Sequence, residues 1–101
     1  MEKEIINYIK MIMDIEKENS ICYTAYDIKE LLQNNYTKSD LSGISKILKS
    51  KWGLKPSENS NGYSRYFLCS DGTTRFEKAK GRYYEFTKTF IKKYFDDFDD
   101  I

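Results

Sequence analysis

The sequence predicts an α+β fold, mainly helical, on three observations. Apolar residues recur every three or four positions through the first half of the chain, turn-forming pairs punctuate its middle, and a row of aromatic residues at helical spacing runs toward its end. The chain has 101 residues, of which 40% are apolar and 16% aromatic, enough for one core and one domain. The first apolar row, Ile5, Tyr8, Ile9, Ile12 and Ile15, predicts an amphipathic helix over 3–18, ended by Asn19-Ser20. Ile21-Cys22-Tyr23 is a short β-prone run. Thr24 follows it as the cap of a second helix, with Asp27 three residues on to complete a capping box, Ile28, Leu31 and Leu32 facing inward, and Gln33-Asn34-Asn35 as its end.

A third helix over 38–52 starts at Thr37 or Ser39 and turns Leu41, Ile44, Ile47 and Leu48 inward. Lys38, Ser42, Ser45, Lys46, Lys49 and Lys51 fall elsewhere on its surface, and Trp52-Gly53 stops it. Residues 54–69 are expected to form a β-hairpin turning at Asn61-Gly62, with Pro56 making its first strand an edge strand or a short one. Asp71-Gly72 is a further turn. Beyond it Phe76, Ala79, Tyr83, Phe86, Phe90, Tyr94 and Phe98 match a long terminal helix from Thr74 to Asp97. The alternative is a second hairpin turning at Lys80-Gly81, with strands 74–78 and 82–87.

Composition removes whole classes of chemistry. The chain has no His, so a triad with a His base, a His-ligated metal and an imidazole switch are excluded. Cys22 and Cys69 have no metal-ligand spacing; two buried thiols are expected, with a disulfide conceivable if both lie on one small sheet. No apolar run approaches the roughly 20 residues that cross a bilayer, and the first residues lack a signal-peptide pattern, so an intracellular, cytoplasmic protein is expected. Consecutive Asp residues near the C-terminus do not make a positioned metal site, and neither enzyme activity nor a cofactor is expected.

The order helix, short strand, helix, turn, helix, hairpin resembles a winged helix-turn-helix domain. Tyr23-Thr24-Ala25-Tyr26-Asp27-Ile28 looks like the capped start of its scaffold helix, Leu41 to Leu48 like its recognition helix, and Lys55-Pro56-Ser57 to Arg65-Tyr66-Phe67-Leu68 like its wing. Ile44 to Lys49 leading into Gly62 to Phe67 is also similar to winged-helix modules of phage and plasmid primase-helicases. The resemblance implies a domain over 3–70 and a C-terminal helical extension over 71–101 with an acidic tail. It implies duplex DNA as partner and a role in transcription regulation or mobile-element replication, with the extension pairing two copies as a homodimer through Phe76, Tyr83, Phe86, Phe90 and Tyr94.

Charge distribution bears on that expectation independently. The net charge is +1, yet residues 1–37 carry −3, residues 38–95 carry +8 and residues 96–101 carry −4. Ser42, Ser45, Lys46 and Lys49 are candidates to enter a major groove, Lys38, Lys51 and Lys55 to neutralise flanking phosphates, and Asn61, Tyr63 and Arg65 to set the wing along the backbone or in the minor groove. The bland reading of the same lysines is a solvated helix face, and Trp52, Tyr66 and Phe67 read as core beneath the wing. The acidic tail is either a solvating end or a phosphate mimic that folds back on the basic face. The rival class is a winged-helix module that binds a protein partner.

Overall fold

The computed structural model describes the backbone of residues 2–33 and 41–99 and the side chains of 2–32 and 41–95. The first helix, α1 (Glu2–Glu16), buries Ile5, Ile6, Ile9, Ile12 and Met13 along one face. Ile15, expected on that face, is 45% exposed. The helix closes where Lys17 adopts a left-handed φ of 55° and the Glu18 N–H reaches the Met13 carbonyl at 3.1 Å. Strand β1 (Ser20–Tyr23) follows, with Ile21 and Tyr23 buried and Ser20 and Cys22 half-buried, the alternation of a strand with one face on the core.

The predicted capping box starts α2 (Ala25–Gln33): the Asp27 N–H donates to Thr24 Oγ1 at 3.0 Å and the Thr24 N–H donates to Asp27 Oδ2 at 2.9 Å. The start of the third helix at Thr37 or Ser39, with Lys38, lies outside the described residues. From Leu41 that helix runs as α3 (Leu41–Lys46) and widens into a π-helical turn over Ile47–Lys51, closed by the Trp52 N–H on the Ile47 carbonyl at 3.0 Å. Gly53, at a φ of +66°, ends it where the sequence predicts the stop.

The hairpin corrects the expectation. Residues 54–60 form no strand. Instead β2 (Asn61–Leu68) pairs antiparallel with β3 (Thr74–Gly81), from Asn61 opposite Gly81 to Leu68 opposite Thr74. The turn lies at Asp71-Gly72, where Gly72 has a φ of +88° and Asp71 Oδ1 accepts from the Thr73 N–H at 3.0 Å and the Thr73 hydroxyl at 2.6 Å. Asn61-Gly62 turns nothing, because Pro56 brings no N–H to a ladder and the flanking N–H groups are used elsewhere. Leu54 bonds the Leu48 carbonyl at 2.9 Å and Ser57 the Tyr83 carbonyl at 2.8 Å.

The terminal segment is also corrected. The helix expected from Thr74 is strand to Gly81 and strand again in β4 (Tyr84–Thr87); only α4 (Lys88–Asp99) is helical. The two strands do not pair with each other as a second hairpin would. β4 pairs antiparallel with β1, Ile21 opposite Phe86 and Tyr23 opposite Tyr84, so strands distant in sequence share a sheet. The boundary expected between residues 70 and 71 therefore falls inside the hairpin turn, and the last third of the chain is built into the core.

Among the described residues the architecture is α+β, with four helices and two small antiparallel sheets, close to half helical. Tyr23 sits at the centre between Phe67 and Phe86, ring centroids 6.2 and 6.4 Å away, and donates its hydroxyl to the Tyr66 carbonyl. The aromatic row expected to form one dimer contact is dispersed. Phe76 is on β3, Tyr83 lies between strands, and Phe86 is fully buried in β4. Phe90 and Tyr94 alone share a helix, and both rings pack on Trp52 of the same chain, at 5.5 and 6.0 Å. Cys22 and Cys69 are free, half-buried thiols. No helix of the described residues is long and apolar enough to cross a membrane.

Candidate nucleic-acid interface

The helix from Leu41 to Lys51 presents two chemically distinct faces. Ile44 and Leu48 are completely buried, which fixes the rotation of the helix; Ile47 is half-buried, and Leu41, expected inward, is instead 41% exposed at the first position of the helix. Ser42, Lys46, Lys49 and Ser50 consequently turn to solvent, and Ser45 is half-buried. α4 packs on Trp52, beyond the end of this helix, and leaves its basic face open. Lys51 is exposed too, but its ammonium pairs with Glu2 at 2.6 Å, tying the helix end to the start of α1. Lys55 is exposed in the following loop and Asn61 at the first position of β2.

Tyr63 and Arg65 have other work. Asp27, 1% exposed, is the hub that fastens the hairpin to α2. Its Oδ1 accepts from Arg65 Nη1 at 2.5 Å, and its Oδ2 accepts from the Tyr63 hydroxyl as well as from the Thr24 N–H. A buried carboxylate surrounded by donors in this way is fully satisfied, which is the condition for leaving a charge in a protein interior. The other side of the Arg65 guanidinium bonds Glu77 on β3, Nε at 3.1 Å and Nη2 at 2.9 Å. These bonds, with Arg75 on its far side, hold the Glu77 carboxyl below its usual range. Burial and the bond to Asp27 push the Tyr63 phenol up, so it remains the donor. Tyr63 also stacks on Tyr83 at 5.1 Å, and Arg65 and Arg75 both lie over the Phe67 ring, at 5.0 and 5.1 Å.

The hairpin register explains this division. Odd-numbered Tyr63, Arg65 and Phe67, paired with Ala79, Glu77 and Arg75, share the face that carries the Asp27 contacts and the buried Phe67. The opposite face carries Ser64 beside Lys78 and Gly62 beside Lys80, with both lysines exposed. The sequence does not single out these two lysines as contact candidates, nor Asp27 as more than a helix cap. Phe76, Lys78 and Lys80 do stand at the two-residue spacing of a strand, but Phe76, Ala79 and Tyr83 offer a helical spacing through the same segment. No local signal announces Asp27, because its partners are 36 and 38 residues away.

The predicted residues therefore separate into an open set, Ser42, Lys46, Lys49, Lys55 and Asn61, and an engaged set, Lys51, Tyr63 and Arg65. An open lysine-serine face on a helix with a buried opposite side can reach phosphates and groove edges, whereas the Arg65 guanidinium could do so only by leaving two carboxylates. Compared with protein-family models, curated protein sequences and solved structures, the chain matches none.

Proposed function

We propose that this protein binds duplex DNA through the helix Leu41–Lys51, in the manner of a winged helix-turn-helix domain, as a small regulator of transcription or of mobile-element replication. The observation that carries the reading is the uncovered Ser42, Lys46 and Lys49 face, opposite the buried Ile44 and Leu48. Small serine side chains let a helix backbone come near base edges, and the lysines supply phosphate contacts on either side. Lys55 beyond the helix, and Lys78 and Lys80 on the outer face of β3, are additional exposed cations that would follow a phosphate backbone. In this reading the hairpin β2–β3 takes the place of the wing, and Arg65 braces it rather than touching DNA. A cytoplasmic location goes with it, since free thiols such as Cys22 and Cys69 stay reduced there.

Fluorescence anisotropy with a labelled random duplex over a salt series tests the proposal. Binding should weaken with a log-log slope of about −0.9 per phosphate contact. Lys46→Glu/Lys49→Glu should remove binding without changing the circular-dichroism spectrum. An unchanged affinity in that variant, or no binding by the native chain at low salt, would overturn it and leave a module that binds a protein partner.

A further inference from the structure

A cleft of about 390 Å³ opens between the hairpin β2–β3 and β1, and none of its lining residues belongs to α3. The outer face of the hairpin contributes Ser64, Tyr66 and Phe76, and β1 contributes Ser20 and Cys22. Glu18, just before β1, stands beside Tyr66, whose hydroxyl donates to Glu18 Oε1 at 3.5 Å. The volume lies at the lower end of the roughly 300–1,000 Å³ of small-molecule sites, room for a group of nucleotide size.

Phe76, Lys78 and Lys80 form one row on the outer face of β3, about 7 Å from one to the next, because a strand sends alternate side chains to the same side. The Phe76 ring is 51% exposed, and its edge-on packing with Tyr66, at 5.2 Å, braces it. Lys78 and Lys80 are exposed and have no ion-pair partner among the described residues. A solitary exposed phenylalanine is ordinary. A braced ring at a polar-walled cleft, followed along its strand by two open lysines, combines a surface on which a base can stack with cations that track phosphates, the two components of single-strand recognition. A duplex offers no such base, since its bases are already stacked on one another.

Charge is polarised along the hairpin. Lys78 and Lys80 lie toward its Asn61–Gly81 end, whereas Glu18 stands beside Tyr66 and Glu16 accepts from the Thr74 hydroxyl near the other. A carboxylate in the cleft accepts from the amino group of a base and repels a carbonyl oxygen, which favours cytosine over thymine. We propose that the cleft seats an unpaired base of a single-stranded nucleic acid, stacked on Phe76 and Tyr66 with its amino edge toward Glu18, while Lys78 and Lys80 hold the adjoining phosphates. This site stands apart from the duplex reading, which rests on α3 and gives Lys78 and Lys80 only a supporting part.

Fluorescence anisotropy with labelled dC12 and dT12 at low salt tests the proposal. The native chain should bind both, dC12 about fivefold more tightly, and Glu18→Gln should level the two. Phe76→Ala should weaken binding of both strands about tenfold with an unchanged circular-dichroism spectrum, Phe76→Trp should retain it, and Lys78→Glu/Lys80→Glu should abolish it. Lys46→Glu/Lys49→Glu should leave single-strand binding intact, just as Phe76→Ala should leave duplex binding intact, so each reading can fail without the other. No binding of either strand by the native chain, unchanged affinity in Phe76→Ala, or single-strand binding lost with the α3 lysines would overturn the proposal. A preference for dC12 that survives Glu18→Gln would remove Glu18 from the site.

Discussion

Asp27 shows how one side chain can serve two levels of structure. Its spacing from Thr24 is the local arrangement of a capping box, and that part is legible in the sequence. Its second use, as acceptor for Tyr63 and Arg65, depends on where the hairpin is laid. Asp27→Ala should therefore cost more than the ~1 kcal/mol of a lost N-cap. It also leaves the Arg65 guanidinium, only 23% exposed, facing Glu77 alone, and together the losses should reach about 3 kcal/mol in urea denaturation. A loss no greater than that of Thr24→Ala would mean that the cap is the whole contribution of Asp27. Arg65, a DNA-contact candidate by charge alone, illustrates the same limit. Sequence assigns it a positive charge, and only the fold supplies the two carboxylates that engage it.

At the scale of elements, helices were read more accurately than strands. α1, α2 and the helix from Leu41 each bury most of an apolar row whose period is local, the terminal members Ile15 and Leu41 excepted, and Thr24, Asp27 and Gly53 mark helix ends by side-chain and backbone chemistry within a few residues. The hairpin depended on choosing between Asn61-Gly62 and Asp71-Gly72, both acceptable turn pairs. Backbone conformation distinguishes them. Gly72 occupies the left-handed region, while a Cβ on Gly62 would come no nearer than 4.0 Å to the Ala79 carbonyl. Gly72→Ala should lower stability by about 1 kcal/mol, and Gly62→Ala should be neutral or slightly stabilising. Thermal melts of the two variants check this, and equal losses would put the turn assignment in error. The segment from Phe76 to Tyr83 misled because its aromatic spacing is compatible with a helix, while its pairing partner, β2, lies outside any local window.

For the molecule as a whole, the pairing of β4 with β1 decides the architecture. It returns the end of the chain to its beginning, and Phe86, fully buried opposite Ile21, takes a place in the same core as Tyr23 and α1. Phe86→Ala should consequently destabilise the entire fold by about 3–5 kcal/mol. The far-UV signal and the fluorescence of Trp52, which packs on α4, should be lost in one coincident transition. Two separated transitions would indicate that the terminal segment folds apart from the core of the first two thirds of the chain.

Legible along the chain are the α+β class, the three helical apolar rows of the first half, the capped start of α2, the stop at Gly53 and the concentration of positive charge between residues 38 and 95. Each follows from interactions or counts within a few positions along the chain. Long-range packing sets which lysines stay open, why Tyr63 and Arg65 face Asp27, where the hairpin turns, and that residues 74–81 and 84–87 are strands of two different sheets. Those outcomes rest on contacts between residues tens of positions apart, and a strand's partner and face are set by the surface it meets, not by its own pattern.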